Sequence, residues 1–402
     1  MKYTVDEVMQ FVAEEDVKFI RLAFCDVFGR QKNVSVMPSE LDRVFSAGLA
    51  IDASAVAGFG GEVFSDLFLH PDPDTLSVLP WRPEHGRVVR MFCSLTYPDG
   101  TPFERDTRTL LREAVKEAEK EGITFAFGPE MEFYLFKLDE NGEPTKEPYD
   151  KAGYMDVAPA DKGENVRREV CLTLERMGIY PESSHHEEGP GQNEIDFHYA
   201  DPLTSADNAV TFRTVVETMA AQSGLYASFS PKPLAHAPGN GFHIHISAKS
   251  ADGRDVTDAL IAGLVANIRE MTLFLDPSEE SYARLGADKA PFAVSWSREN
   301  RSQLIRIPAD TEGRRAELRS PDPTANPYIA FTLLIHACLD GIRDKLFLPP
   351  PADFNMYTAS DETLSRYVML PRSREEAAAA VREGDFVSRV LPRTLIDAYL
   401  NA

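Results

Sequence analysis

The sequence predicts a protein of two parts, each built from both helices and strands. Its 402 residues exceed the size of one ordinary domain. Strand signals recur in the first hundred positions, and strands then alternate with helices to the C-terminus. A turn-forming stretch at residues 97–100 separates the two regions. We therefore place a boundary near residues 98–105 and predict domains over residues 1–100 and 101–402.

The first region begins with a helix and continues in strands. Residues 4–16 carry apolar side chains at helical spacing. Residues 18–24 alternate as a strand does, and further strand signals lie around residues 33–36 and 87–95.

The second region opens with a helix over residues 107–121, which are rich in Leu, Ala, Glu and Lys. Asp106 is a suitable N-cap for this helix. Residues 375–380 are helix formers, and the region contains neither repeats nor low-complexity tracts.

The composition narrows the classes of function. A formal net charge of −22 repels nucleic acid and anionic lipid, so neither is expected as a partner. The four cysteines form no C-x-x-C pair, which argues against a zinc knuckle or a redox motif. The N-terminal residues lack an apolar signal core, and the most apolar stretch, residues 329–339, is too short to span a bilayer. The expected location is the cytoplasm.

Two glutamates share one face of a predicted strand at residues 127–136. Glu130 and Glu132 are two positions apart, so they point the same way while Met131 and Phe133 point into the packing. Neighbouring carboxylates repel each other unless a cation lies between them. The alternative is an ordinary solvated strand face.

A glycine-rich loop lies between two further glutamates. Gly189-Pro190-Gly191 forces an irregular turn, and Glu187 and Glu194 flank it. The two carboxylates can therefore converge on one site, although acidic residues are also common in plain surface loops.

Two histidines and a serine alternate along the next strand signal. His243, His245 and Ser247 share one face, and a His-x-His pair on a strand suits a divalent metal. The alternative is a pair of hydrogen-bonded surface histidines.

Arginines cluster in two segments of this acidic chain, residues 300–308 and 314–323. Arginine binds phosphate and carboxylate in a bidentate manner, although surface salt bridges are the simpler reading of either segment alone. Acids, a metal-type histidine and arginines together fit phosphoryl transfer from ATP to a carboxylate. A Walker A sequence is absent, and residues 58–61 do not fit the dinucleotide fingerprint.

The motifs, in this order, resemble the bacterial type I form of the glutamine synthetase family. The matching stretches are Gly-x-Glu-x-Glu-Phe, His-His-Glu with Gly-Gln-Asn-Glu, Gly-x-His-x-His-x-Ser, Asn-Arg-Ser with Ile-Arg-Ile-Pro, and Asp-Pro-Thr-Ala-Asn-Pro-Tyr at residues 322–328. The resemblance extends over nearly the whole chain. It implies an α+β fold with an N-terminal β-grasp-like domain and a catalytic domain whose curved antiparallel sheet is flanked by helices. It also implies a homo-oligomer, a dodecamer of two stacked hexamers with active sites between subunits.

The resemblance further implies two or more Mg²⁺ or Mn²⁺ ions and ATP as co-substrate. The implied ligands are Glu132, Glu187 and Glu194 for one metal ion, and Glu130, His243 and Glu317 for the other. The implied nucleotide contacts are Glu182, His245, Ser247, Arg306 and Arg315. The residues implied to bind the amino-acid substrate are Arg284, Gly239, Arg301 and Arg319, and those implied in catalysis are Asp52, Tyr154, Arg301 and Arg319. Asp52 would come from the neighbouring subunit to an ammonium pocket that also contains Tyr154.

The reaction implied is the formation of glutamine from glutamate and ammonia through a γ-glutamyl phosphate. The chain departs from the family pattern at Lys289, which stands where the family's active-site flap carries a glutamate. A lysine there would repel ammonium, which favours an alternative, a γ-glutamyl–amine ligase. A catalytically inert, metal-binding regulatory homologue is a further alternative, although the full set of acids and arginines argues against it.

Overall fold

A computed structural model describes residues 3–61, 63–309 and 314–402. Within this part of the chain, the first hundred residues form a six-stranded sheet, which we call the N-terminal sheet. Its strands are β1 (Val17–Cys25), β2 (Gln31–Val36), β3 (Leu49–Asp52), β4 (Asp66–Pro71), β5 (Ser77–Val78) and β6 (Arg87–Thr96). Strands β1 and β6 are parallel neighbours at its centre, and the other pairings are antiparallel.

Two helices accompany the N-terminal sheet, α1 (Val5–Glu14) and α2 (Leu41–Ala47). Helix α1 begins where it does because Thr4 and Glu7 form a capping box, each side chain accepting from the other residue's backbone N–H. Val8 and Val12 on α1 are buried, as the helical spacing predicts.

A second, nine-stranded sheet, here called the central sheet, carries the site described below. Its strands in the described residues are β7 (Ile123–Leu138), β8 (Pro144–Pro148), β9 (Pro181–His186), β10 (Gln192–Phe197), β11 (Leu225–Ser228), β12 (Phe242–Ser250), β13 (Trp296–Arg298), β14 (Ile305–Ile307) and β15 (Ala316–Leu318). Their main order is β13-β14-β15-β12-β7-β10-β9, with β8 and β11 also paired to β7. The pairings are antiparallel except for β13 with β14.

Further helices follow the N-terminal sheet along the chain, and several of them pack on the central sheet. They are α3 (Thr107–Lys120), α4 (Glu164–Arg176), α5 (Pro202–Gln222), α6 (Thr257–Leu275), α7 (Glu279–Arg284), α8 (Pro327–Arg343), α9 (Asp361–Leu364), α10 (Arg374–Glu383), α11 (Phe386–Val390) and α12 (Arg393–Leu400). Asp106 caps α3 as predicted, its carboxylate accepting from Arg108 N. The α+β fold predicted from the sequence is confirmed, whereas the domain division near residue 100 stays a prediction.

The core lies between the central sheet and these helices. Phe127 stacks on Phe331 of α8 with ring centroids 4.4 Å apart, and Phe133 meets Phe212 of α5 at 6.2 Å. Side chains alternate between the faces of a strand, so an apolar core behind β7 leaves Glu130 and Glu132 on the opposite face. Among the described residues, every helix is too short or too polar to cross a bilayer.

Candidate active site

The exposed face of the central sheet forms the floor of a cavity of about 410 Å³. Most of the residues predicted as metal ligands line it, together with arginines and the loop before β13. The lining members of the predicted set are Glu130, Glu132, Tyr154, Glu187, Glu194, Gly239, His243, His245, Arg284, Arg301, Arg306, Arg315 and Arg319. The residues that the sequence suggested would converge do lie together.

One cluster joins Glu130 and His243 of the floor to Glu317, which is fully buried and does not itself line the cavity. Their candidate ligand atoms all lie within 4.8 Å of one another. His243 Nδ1 lies 3.7 Å from Glu130 Oε2 and 3.9 Å from Glu317 Oε1. Strand register produces this arrangement, because His243 on β12 pairs with Glu130 on β7, and β12 also pairs with the strand of Glu317.

A second cluster shares His243 and adds Glu132 and Glu194, again within 4.8 Å. Glu194 on β10 pairs directly with Glu132 on β7. Glu187 lies in a third group with His185 and Glu194, where His185 Nε2 is 2.9 Å from Glu187 Oε1 and 3.7 Å from Glu194 Oε1. The structure thus brings Glu187 to Glu194 through a histidine that the sequence reading did not single out.

Asp196 is another acid that the sequence reading missed. It joins Glu130 and Glu194 in a group of ligand atoms within 4.8 Å. Its spacing from Glu194 on β10 is the same i, i+2 spacing that identified Glu130 and Glu132, so the signal was available.

The electrostatics of these acids favour a bound cation. Burial raises the pKa of Glu194 well above its usual value, and the nearby charges of Asp196 and Glu132 raise it further. Burial and the charge of Glu130 raise the pKa of Asp196 to about 7. Asp196 Oδ1 is buried without a hydrogen-bond partner in the described residues. Carboxylate oxygens are the ligands that Mg²⁺ and Mn²⁺ prefer, so these acid-rich groups fit divalent ions.

Neighbouring histidines and arginines favour the ionised forms of Glu130 and Glu317. Burial alone would raise the pKa of Glu130, but His245 and His243 outweigh it and hold that pKa well below its usual value. Burial would also raise the pKa of Glu317, but the charges of Arg319, His245 and His243 outweigh it and lower that pKa to about 2. Arg319 Nη1 donates to Glu317 Oε1 at 2.5 Å, and Arg306 also pairs with this carboxylate.

Polar groups of the neighbouring strands and loops fix the acids in place. Glu132 Oε2 accepts from Gln192 Nε2 at 3.0 Å and from Gly241 N at 2.8 Å. Behind Glu187, His186 Nε2 is 2.9 Å from Asp150 Oδ1, and its Nδ1 is 2.7 Å from the carbonyl of Glu187. The contacts made by Gln192, Gly241 and Asp150 cross between distant segments, so sequence spacing alone could not reveal them.

Arg284 lies at one end of the cavity and is almost completely buried. Its guanidinium donates to the carbonyls of Ser320 at 2.5 Å and Arg319 at 3.2 Å. Gly239 gives it room, because a Cβ on that glycine would lie 2.8 Å from Arg284 Cγ.

A smaller cavity of about 80 Å³ adjoins the other end. Glu182, His245 and Arg315 line it, and His245 Nε2 is 2.5 Å from Glu130 Oε1. Ser247, predicted alongside them, lines neither cavity.

Two predicted residues lie at or beyond the rim. Tyr154 is exposed and lines the cavity, with its ring edge-on to His185 at 5.4 Å between centroids. Asp52 ends β3 in the N-terminal sheet, where its carboxylate accepts from Ser54 N at 2.9 Å. It does not line this chain's cavity, and its contribution to a neighbouring subunit stays a prediction.

The loop after Arg284, residues 286–291, covers one side of the cavity. Asp288 and Lys289 both have left-handed backbones, with φ of 45° and 69°. Lys289 Nζ pairs with Glu188 across the opening, and Lys232 Nζ lies 2.6 Å from Asp288 Oδ2. We call this loop the flap.

Comparisons with known proteins agree with this geometry. Residues 16–98 match the family model "Glutamine synthetase, beta-Grasp domain", and residues 104–402 match "Glutamine synthetase, catalytic domain". A glutamine synthetase of Methanosarcina mazei is 43% identical over 416 residues, covering 99% of this chain and 93% of the relative. That of Clostridium saccharobutylicum is 42% identical over 406 residues, covering 97% and 92%.

Solved structures support the same fold. A structure named "GmaS/ADP complex-Conformation 1" superimposes with a TM-score of 0.88 at 27% identity, covering 98% of this chain and 94% of the other. "Apo GmaS without ligand" gives the same values.

A β-grasp sheet beside a sheet that carries acid clusters and arginines defines an ATP-dependent ligase of the type that joins a carboxylate to an amine. The chain belongs to the glutamine synthetase family. The enzyme class predicted from its motifs is thereby confirmed.

Proposed function

We propose that this enzyme forms glutamine from glutamate, ammonia and ATP. The observation that carries the proposal is the convergence of two acid clusters that share His243, in one cavity with buried arginines. The curated relatives named glutamine synthetase, at 41–43% identity over almost the full chain, support the same substrates.

Each group of side chains has a proposed role. Glu130, His243 and Glu317 would hold one divalent ion, and Glu132, Glu187 and Glu194 another. When bound, Mg²⁺ or Mn²⁺ would neutralise the triphosphate and polarise its γ-phosphate. Asp196 and His185 would complete the shell around these ligands.

The arginines and the smaller cavity would position the organic substrates. Arg284 would bind the glutamate carboxylate beside Gly239, while Arg301, Arg306 and Arg319 would stabilise charge on the transferred phosphoryl group. Glu182, His245 and Arg315 would lie along the nucleotide, whereas Ser247 lies beyond both cavities. Tyr154 and a neighbouring subunit's Asp52 would bind the amine.

The reaction would run in two steps. The γ-carboxylate of glutamate attacks the γ-phosphorus, giving the acyl phosphate and ADP. Ammonia then attacks the acyl carbon, and the products are the amide, phosphate and a proton. Exclusion of water between these steps protects the acyl phosphate from hydrolysis. The cytoplasmic location and the dodecamer expected of the family stay predictions.

A γ-glutamyl–amine ligase is the second candidate. It is favoured by Lys289 in the flap and by the fold similarity to GmaS, a γ-glutamylmethylamide synthetase. The identity to that protein is 27%, below the 41–43% to glutamine synthetases, so we rank it second.

One assay separates the two candidates. The chain is incubated with ATP, Mg²⁺, glutamate and either ¹⁵N-ammonium or methylammonium, and the amide product is identified by mass spectrometry. We expect labelled glutamine to form with a kcat/KM at least about tenfold above that for methylammonium, a difference of about 1.4 kcal/mol. A preference for methylammonium would replace the first candidate with the second. Absence of phosphate release with either amine would favour an inert homologue.

A further inference from the structure

A buried aspartate, Asp276, lies beside Arg284 but outside the cavity. It follows directly after α6, is fully buried and does not line the cavity. Its Oδ1 lies 3.9 Å from Arg284 Nη1. Within the described part of the chain, neither of its carboxylate oxygens has a hydrogen-bond partner. An ionised carboxylate without donors is costly to bury, so the charge of this group needs an explanation.

A buried arginine elsewhere in this chain binds aspartate directly. Arg108 donates to both carboxylate oxygens of Asp207, at 3.0 and 2.9 Å. Arg284 instead donates from Nη1 and Nη2 to the backbone carbonyls of residues 320 and 319, and Asp276 lies beyond hydrogen-bond distance. The contact between Asp276 and Arg284 therefore lacks the geometry of a buried ion pair.

A second buried acid, Asp322, adds to the repulsion on Asp276. Burial and then the charge of Asp322 raise the pKa of Asp276 well above its usual value, and Arg284 only partly opposes them. Burial also raises the pKa of Asp322, against hydrogen bonds from Ser281 and Thr324. Asp322 Oδ1 accepts from Thr324 N at 2.8 Å and from the hydroxyl of Thr324. Donors thus stabilise the ionised form of Asp322 and not that of Asp276, so a proton shared by the pair belongs on Asp276.

The charge of Asp276 decides whether this end of the cavity attracts an anion. With both acids ionised, Arg284 would face two negative charges and would bind a carboxylate weakly. With Asp276 neutral, one acid faces one arginine, and the guanidinium can still attract a substrate carboxylate. Tyr282 is a further titratable neighbour, but burial and the charges of Asp276 and Asp322 raise the pKa of its phenol, so it adds no charge.

We propose that Asp276 is a protonated, neutral acid in the folded chain, and that this neutrality allows Arg284 to bind the glutamate carboxylate. The inference rests on the proposed function and deepens it by assigning a residue that sets glutamate affinity from outside the cavity. Asp276 is a positioning residue, because it acts through Arg284. Above the pH at which it loses its proton, its negative charge would compete with glutamate for Arg284.

The first test determines whether Asp276 is neutral in the folded chain. An aspartate in an unfolded chain ionises at about pH 3.9, so a carboxyl that is protonated only when folded makes the chain less stable as pH rises. Asp276→Asn removes this titration. In urea denaturation at fixed protein concentration, we expect the unfolding equilibrium constant of the unsubstituted chain, relative to that of the variant, to rise about tenfold per pH unit between about pH 5 and about pH 8. If this stability ratio stays level, Asp276 is ionised when folded and the inference is wrong.

Asp340→Asn is the matched control. Asp340 on α8 is also buried, but Arg389 Nη2 lies 3.0 Å from its Oδ2 and Arg343 Nη1 lies 3.6 Å from its Oδ1. We expect no pH trend in its stability ratio, and a trend equal to that of Asp276→Asn would overturn the inference. Asp276→Ser also removes the carboxyl, so it should show the same trend and replaces the asparagine variant if that one does not fold.

The second test determines whether the neutrality of Asp276 serves glutamate binding. The KM for glutamate is measured in both proteins across the same pH range, and the titration of glutamate itself cancels in the ratio of the two values. We expect this KM ratio to stay within twofold while the stability ratio still rises. At the pH where the stability ratio stops rising, the KM ratio of the unsubstituted chain to the variant should begin to increase.

Two results would break the link between Asp276 and glutamate. One is a KM for glutamate that is at least tenfold lower in Asp276→Asn at neutral pH, because Asp276 would then already compete for Arg284. The other is a stability ratio that levels off without any increase in the KM ratio.

Failure of this inference is distinguishable from failure of the proposed function. The stability test uses no substrate, so it decides the charge of Asp276 whatever the chain catalyses. If the unsubstituted chain makes no amide from ammonium, the proposed function fails by itself. If it makes glutamine and the stability ratio stays level, only the inference about Asp276 is wrong.

Discussion

At the scale of single residues, the cavity floor concentrates negative charge that the protein alone only partly balances. Glu194 is buried among other carboxylates, and one buried oxygen of Asp196 has no hydrogen-bond partner within the part of the chain that the structure describes. Histidines and arginines balance Glu130 and Glu317. The unbalanced side of the floor, around Glu194, is where a divalent cation would relieve the most repulsion.

Metal ions should therefore stabilise the folded chain. Binding to the native state at a hundred times its Kd contributes about 2.7 kcal/mol. We expect Mn²⁺ to raise the melting temperature of the metal-stripped chain, as measured by differential scanning fluorimetry, and Glu194→Gln to reduce that rise. An equal rise in both proteins would show that Mn²⁺ binds elsewhere.

Removal of Glu130 should separate activity from folding. Glu130→Ala deletes a ligand of the first cluster, so we expect the KM for the metal–ATP complex to rise at least about tenfold, in the range seen for altered metal sites. Circular dichroism should remain that of the unsubstituted chain. Full activity at ordinary metal concentration would refute the assignment of Glu130.

The sequence predicted those site residues that obey a local rule. Glu130 with Glu132, and His243 with His245, follow from the two-residue period of a strand. His185 and Gln192 belong to the site through cross-strand contacts, whose register depends on how distant strands pair. Ser247 shares the strand face of His243 and His245 but lies beyond both cavities, because strand period gives direction and not position along the strand.

At the scale of elements, helices α6 and α8 pack closely against each other. Gly263 and Gly341 lie at their crossing, where an added Cβ would fall 1.9 Å from the carbonyl oxygen of Ala337 and 2.0 Å from that of Ala259. Both obstacles are backbone atoms, which cannot rotate away. The helices approach this closely only because these two positions lack side chains.

Gly263→Ala should force the helices apart. Overpacking of this kind typically costs about 1–3 kcal/mol, so we expect the free energy of unfolding in urea to fall by that amount. Gly61→Ala is the control, because an added Cβ there meets nothing within 4 Å and should change stability little. A Gly263→Ala variant as stable as the control would show that the helix pair is compliant.

The sequence predicted where strands lie along the chain better than it predicted which strands pair with each other. The strand signals at residues 18–24 and 87–95 correspond to β1 and β6. Their parallel pairing at the centre of the N-terminal sheet could not be read from either stretch, because it depends on the connection through β2, β3, β4 and β5.

At the scale of the whole molecule, a buried network of ion pairs and hydrogen bonds links three helices to the N-terminal sheet. Arg108 of α3 donates to both carboxylate oxygens of Asp207 on α5, from Nε at 3.0 Å and from Nη2 at 2.9 Å. Its Nη2 also donates at 2.9 Å to the carboxylate of Asp72, which lies just after β4. Tyr328 of α8 donates to Asp207 at 2.6 Å. One carboxylate thus links three helices and, through Arg108, the N-terminal sheet.

Asp207→Ala should be strongly destabilising. It leaves the buried Arg108 without its main partner, and breaking such a pair costs about 3–5 kcal/mol. Chemical denaturation should reveal that loss, whereas Glu121→Ala, which removes an exposed partner of Arg343, should cost no more than about 1 kcal/mol. Similar losses in the two variants would mean that the buried network contributes no more than a surface pair.

The arrangement of the floor also constrains the order of events during folding. The acids of the two clusters and the histidine that they share come from β7, β10, β12 and β15, strands that are far apart along the chain and meet only after the central sheet has assembled. Such long-range contacts form late and slowly, since a large loop must close before any of them is made. A divalent ion therefore finds its full set of ligands only when the chain has nearly folded. Its binding consequently slows unfolding more than it speeds folding.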